Sequence, residues 1–123
     1  MTRAYVWAAL CGVLFASFAS GCAVDPKGTC ESVCEEQRRR MCNGFTGDEN
    51  CVANCSDAEA NYDSAKADAE RIGCNSQFDN VYGCASGGDY CDNSRCNAET
   101  NALVSCITSY CTVNPTDRVC ASP

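Results

Sequence analysis

Twelve cysteines between residues 30 and 120 limit what this chain can fold into more than any other feature it carries. They are Cys30, Cys34, Cys42, Cys51, Cys55, Cys74, Cys84, Cys91, Cys96, Cys106, Cys111 and Cys120. The number is even, so six disulfides can close with no thiol left over. Metal ligation is the alternative use for so much sulfur, and zinc and redox sites favour Cys-x-x-Cys. That spacing is absent: the gaps run x3, x7, x8, x3, x18, x9, x6, x4, x9, x4 and x8. Structural disulfides are therefore expected, with no metal and no cofactor. Such a chain belongs in an oxidising compartment.

Further classes fall to simple counts. The sequence has 123 residues and no histidine. That length bounds it at one small domain. The missing histidine removes Ser-His-Asp and Cys-His catalysis, His-ligated haem and mixed Cys/His zinc sites. A formal charge of −7 argues against a nucleic-acid partner, which needs a basic footprint.

The first residues read as an address. Met1–Arg3 is short and basic, and Ala4–Phe18 (AYVWAALCGVLFASF) carries no charge. Small residues follow, as in an export signal. The uncharged run from Ala4 to Val24 is long enough to span a bilayer, which is the competing reading. The small-residue ending, with no basic stop except Lys27, favours cleavage.

The stretch Phe18-Ala19-Ser20-Gly21-Cys22-Ala23 resembles a bacterial lipobox, with Ala19 where a larger aliphatic residue is usual. The resemblance implies that Cys22 is diacylglycerylated, that residues 1–21 are removed, and that the new amino terminus is acylated. The membrane would then be a partner through lipid on Cys22, since two or more chains hold a protein at a bilayer where one holds it weakly. In some such proteins an Asp directly after the cysteine retains them in the inner membrane. Ala23 stands here, which points to the outer membrane or cell surface. Ordinary cleavage nearby would instead release a soluble periplasmic or extracellular protein.

The mature part reads as helical. Residues 22–28 form a tether, and residues 29–123 a disulfide-stapled domain in two parts, 29–73 and 74–123. Thr29 is placed to cap a helix from Cys30, with Cys30, Cys34, Gln37 and Met41 on one face. Arg38, Arg39 and Arg40 fan around that helix and form no compact patch; Glu35–Arg39 and Glu36–Arg40 are favourable i,i+4 pairs. Thr46-Gly47-Asp48-Glu49 has the capping-box pattern. From Cys51 a stripe runs through Cys55, Ala58, Tyr62, Ala65, Ala69 and Ile72 to Gly73, about seven turns if unbroken, with a kink allowed at Ser56-Asp57.

Cys30/Cys34 and Cys51/Cys55 each lie four apart, so each pair shares a helix face. Antiparallel packing of the two helices predicts Cys30–Cys55 and Cys34–Cys51. In this twin Cys-x3-Cys device alone the first part is similar to the small chaperones of the mitochondrial intermembrane space; the export signal and Cys42 depart from their pattern. The second part repeats: Cys74–Cys84 and Cys96–Cys106 have equal length, each opens Cys-Asn, and each is followed by Tyr-Cys. Asn75 and Asn97 are candidate N-caps. Phe78, Val81 and Tyr82 form one apolar face, and Leu103, Cys106, Ile107 and Tyr110 the other. Antiparallel packing predicts Cys74–Cys106 and Cys84–Cys96, leaving Cys42, Cys91, Cys111 and Cys120 for two further bonds whose pairing stays open.

The fold class is thus a small, all-α, disulfide-rich bundle of about four helices with no sizeable hydrophobic core. Disulfides must do most of the stabilising. The whole pattern resembles the small cysteine-rich helical lipoproteins of myxobacteria and their deltaproteobacterial relatives.

Three apparent sites do not hold. Asp57, Glu59, Asn61 and Asp68 have calcium-loop spacing, but Tyr62 occupies the position an EF-hand reserves for Gly. Asn54-Cys55-Ser56 is a sequon around a cysteine expected to be bridged. The scattered carboxylates present no acid–base pair. The expected function is an anchored structural or interaction module without catalysis, whose partner is an extracytoplasmic protein or polysaccharide. The alternatives are a secreted inhibitor or ligand-binding module presenting a loop such as Cys84–Cys91, and a carboxylate hydrolase. Flat patches with exposed Tyr62, Tyr82 or Tyr90 would favour interaction, a deep polar pocket an enzyme, and a protruding strained loop an inhibitor.

Overall fold

A computed structural model describes residues 24–121 of the protein. The segment read above as an export signal, and Cys22, lie outside the described residues. Five helical segments follow in order, which we number α1 (Pro26–Arg40), α2 (Cys51–Asn54), α3 (Ala58–Arg71), α4 (Asn75–Ala85) and α5 (Asn97–Val113). Among the described residues there is no strand. The protein is an all-α, disulfide-rich bundle of four principal helices, α2 being a single turn.

Helix α1 starts earlier than the sequence suggests. Asp25, not Thr29, caps it: its Oδ1 accepts from the Gly28 amide at 2.8 Å. Pro26 supplies the first helical residue, where a missing N–H costs nothing. Part of the expected tether is therefore helical. At the other end Met41 is left-handed (φ 49°, ψ 46°). Its amide donates to the Arg38 carbonyl, and the Cys42 amide donates to that of Gln37, both at 3.2 Å. This Schellman closure normally uses Gly, and a side chain there costs about 1–2 kcal/mol. Met41 is 70% exposed and packs on little. Met41→Gly is expected to raise stability by about 0.5–1 kcal/mol, read as a higher urea midpoint at unchanged slope.

The second stripe is broken. Asn50 caps α2 through its Oδ1, which accepts from the Ala53 amide at 3.1 Å. The helix stops at Asn54 and resumes at Ala58. Ser56 and Asp57 occupy the gap, and such side chains compete poorly as helix interior residues. The long stripe is thus two helices, with the kink where those residues allow it. Thr46 caps nothing. Instead the Glu49 carboxylate accepts from the Thr46 amide (2.6 Å), the Thr46 hydroxyl (3.0 Å) and the Gly47 amide (3.0 Å). These bonds, the Thr46 amide first, hold Glu49 below its ordinary pKa. Gly73 (φ 78°) ends α3 as expected, with the Cys74 amide donating back to the Ala69 carbonyl at 2.7 Å.

Six disulfides staple these pieces. Cys30–Cys55 and Cys34–Cys51 tie α1 to α2 and the residue after it, with Cα–Cα separations of 5.8 and 5.6 Å. Cys74–Cys106 and Cys84–Cys96 tie α4 to α5 at 6.0 and 5.9 Å. These are the four pairings that antiparallel packing predicts. Cys42–Cys91 joins the two parts of the domain, and Cys111–Cys120 closes the tail. The repeat is less regular than its spacing implies. Cys74 and Cys96 take the N-cap positions, so Asn75 and Asn97 are first helical residues and not caps. Helix α4 stops before Gly87-Gly88, leaving Tyr90-Cys91 in a loop, whereas α5 runs on through Tyr110-Cys111.

The interior is mostly sulfur. The buried residues are Cys34, Cys51, Cys55, Cys74 and Ala69, and around the first three pack Cys30, Phe45 and Ala58. No large aliphatic or aromatic side chain among the described residues is fully buried. The apolar area that drives folding of ordinary domains is correspondingly small.

The tail is fixed by charge as well as sulfur. Arg71 on α3 grips Asp117 with two bonds of 2.7 and 2.9 Å. The Tyr110 hydroxyl and the Val119 amide also donate to that carboxylate, each at 2.9 Å. Arg118 pairs with Asp68. The Arg71 guanidinium above all, then the Val119 amide, holds the Asp117 carboxyl well below the usual carboxylate range. The folded state thus favours the ionised form. This contribution is present above the ordinary Asp pKa of about 3.9, and it is lost as pH falls through the depressed folded value. The stability gap between the wild type and Asp117→Asn is therefore expected to be full at neutral pH. It should narrow below about pH 4, as followed by urea unfolding at a series of acid pH values.

Candidate functional site

A recess lies between α1, α3 and α4. It is an open groove of about 550 Å³, within the range of about 300–1,000 Å³ usual for small-ligand sites. Val33, Phe45, Tyr62, Phe78 and Tyr82 make its apolar walls. The floor exists because α3 follows α2 across α1 and then turns back at Gly73 into α4. Tyr62 meets Phe78 and Tyr82 with ring centroids 5.5 and 4.7 Å apart, both tilted, the geometry that aromatic quadrupoles prefer. Lys66 lies 5.9 Å from the centroid of the Tyr62 ring and 3.2 Å from Asp79, bridging α3 to α4 beside that stack. Helices α1 and α4 make no backbone approach of their own, so the space between them stays open.

A clamp bounds one end. Gln37 Nε2 and Asn43 Nδ2 both donate to the Tyr90 carbonyl, at 2.8 and 2.9 Å. The Tyr90 hydroxyl donates to the Ser86 carbonyl at 3.0 Å. Arg40 pairs with Asp89, and Cys42–Cys91 closes beside them. Asp89 is held below its ordinary pKa, by Arg40 first and by the Cys91 amide next. Arg95 Nε donates to the Asp89 carbonyl at 3.2 Å, and its guanidinium lies against Gly88, a residue in left-handed conformation (φ 84°). A Cβ on Gly88 would stand 2.9 Å from Arg95 Nη1. The loop 86–91 is thereby pinned to α1 and to itself.

The sequence-derived candidates distribute as follows. All twelve cysteines from Cys30 to Cys120 are bridged. Cys22 lies outside the described residues. Asp57, Glu59, Asn61 and Asp68 sit on or at the start of α3, where a continuous helix strings them along about 16 Å and turns Glu59 to the opposite side, instead of wrapping them round one ion as a calcium loop does. Cys55 of the sequon is bridged and 1% exposed. Tyr62, Tyr82 and Tyr90 are half-buried and form no flat exposed patch; they line the groove and its clamp. The Cys84–Cys91 loop is pinned to α1 and its end by Gln37, Arg40 and Asn43 and by the Cys42–Cys91 bond.

Nothing local in the sequence marks the clamp residues. Arg40 looks like part of a solvated face, with a Glu36 partner four residues back. In the structure Glu36 pairs with Arg39 and Glu35 with Arg38, three apart, which frees Arg40 for Asp89. Phe45 was equally silent, although a lone aromatic between Gly44 and Gly47 has no local reason to be there. Among the described residues no helix is long and apolar enough to cross a membrane, and no three Cys, Asp or Glu side chains are grouped as a metal would require. Comparison with protein-family models, with curated proteins and with solved structures finds no match to this chain.

Proposed function

We propose that this chain is an exported, lipid-anchored module that interacts with other envelope components and carries no catalytic chemistry of its own. The observation that carries the reading is the allocation of sulfur. All twelve cysteines of the described domain are spent on crosslinks that tie α1 to α2, α4 to α5, the two parts of the domain to each other and the tail to α5, so the domain keeps one shape in an oxidising environment. The lipobox-like stretch ending at Cys22 lies immediately ahead of that domain, which supports attachment of a rigid head to an outer membrane or cell surface. The partner in this reading is an extracytoplasmic protein or polysaccharide. The recess is walled by apolar and aromatic side chains, which suits binding better than hydrolysis. The resemblance to the cysteine-rich lipoproteins of myxobacteria supports the same placement.

The test is the intact mass of the mature chain isolated from cells, with fractionation of a Cys22→Ala variant. A mature chain beginning at Cys22 and carrying acyl mass, together with a variant that carries no acyl mass and is not trimmed to residue 22, is the expected result. A mature chain of unmodified polypeptide mass overturns the anchor and leaves a soluble secreted ligand-binding module as the reading.

A further inference from the structure

The groove between α1, α3 and α4 has an orientation that bears on the lipid. Its lining follows α1 from Pro26 to Gln37, a run of about 16 Å at 1.5 Å per residue. At Gln37 and Ser86 it meets the Tyr90 clamp, which bounds that end. The opposite end is Pro26, four residues after Cys22. Four residues reach at most about 14 Å, so any group on Cys22 is tethered at the groove's open end. The walls offered there are aliphatic and aromatic: Pro26, Val33, Tyr62, Phe78 and Tyr82. A flexible alkyl chain has the shape and chemistry that such a long, open, apolar trough accepts.

We propose that the groove is the resting place of an acyl chain carried on Cys22 of the same molecule, occupied when the protein is off the membrane. The proposal rests on the lipid anchor argued above and adds to it a cover for one chain in water. Release of that chain into a bilayer would empty the groove at the membrane surface.

Two measurements test it. In the first, residues 22–123 carrying Cys22→Ser are exported behind a signal that is cleaved without lipidation, the six disulfides are confirmed by mass, and the protein is titrated with a fluorescent long-chain fatty acid. Binding is expected, weakened at least tenfold by Ala65→Trp, which places a bulky ring at an exposed position on the groove wall. In the second, the native lipoprotein is labelled in cells with a photoreactive fatty acid and irradiated after extraction from the membrane. Crosslinks from the Cys22 lipid to peptides containing Val33, Tyr62 or Tyr82 are expected. Failure of the unlipidated chain to bind the probe, binding that Ala65→Trp leaves unchanged, or crosslinks that avoid those peptides overturns the proposal and leaves the anchor standing. A mature chain without acyl mass overturns the anchor, and the proposal with it.

Discussion

Reduction of all six disulfides is expected to unfold the chain at room temperature and neutral pH, with loss of helical circular dichroism. The reasoning starts from what is buried. Four of the five buried residues are cysteines, and the fifth is Ala69. Breaking the bonds removes constraints worth about 2–4 kcal/mol each, so six of them together are as large as, or larger than, the roughly 5–15 kcal/mol that holds a typical domain folded. It also leaves thiols where the crosslinks had fixed the distance between helices. The helices cannot compensate alone. The α2 segment has four residues and α4 has eleven, below the length at which isolated helices persist in water. A reduced chain that kept its helical signal would show that packing, and not sulfur, carries the fold.

The second large effect is expected from a single crosslink. Replacing Cys42 and Cys91 together by Ser should cost about 4 kcal/mol, because a bond across 49 residues removes more unfolded-chain entropy than any other in this protein. The matching change at Cys111 and Cys120, a separation of 9, should cost about 2.5 kcal/mol. Denaturant midpoints of the two double variants give the comparison. The Cys42/Cys91 variant should also lose hydrogen-exchange protection at residues 86–91, since Tyr90 and Asp89 are held to α1 at the same place. Equal losses in the two variants would mean that native strain or residual structure, not loop length, sets the cost of each bond.

The parts of this fold that were legible are those with a local rule behind them. Cysteines four apart on two helices admit one antiparallel arrangement, which is why Cys30–Cys55 and Cys34–Cys51 can be read from spacing. The equal cysteine intervals of α4 and α5 give Cys74–Cys106 and Cys84–Cys96 in the same way. Gly73 announced the end of α3 because a left-handed closing residue favours Gly. Cys42–Cys91 is not legible in the sequence, because the turn that presents Cys42 puts Met41 in the left-handed region, where local preference opposes a side chain. Local preference alone does not decide the start of α1, because Thr29 and Asp25 are both good caps, and Pro26 favours Asp25 only once the helix reaches back that far. The groove was invisible for a different reason. Its walls come from three helices whose mutual placement is set by the Tyr90 clamp, and that clamp consists of pairings such as Arg40–Asp89 over 49 residues. Periodicity within one helix carries no information about them.

The most direct test of the central idea, that sulfur takes the place of an apolar interior, is a thiol count on the isolated protein. The unreduced protein is opened in denaturant, treated with an alkylating reagent and weighed, then treated again after reduction. No alkyl group on the twelve cysteines from Cys30 to Cys120 before reduction, and twelve after it, is the expected result. Alkylation of those cysteines in the unreduced sample, or a metal ion released in step with it, would contradict the account.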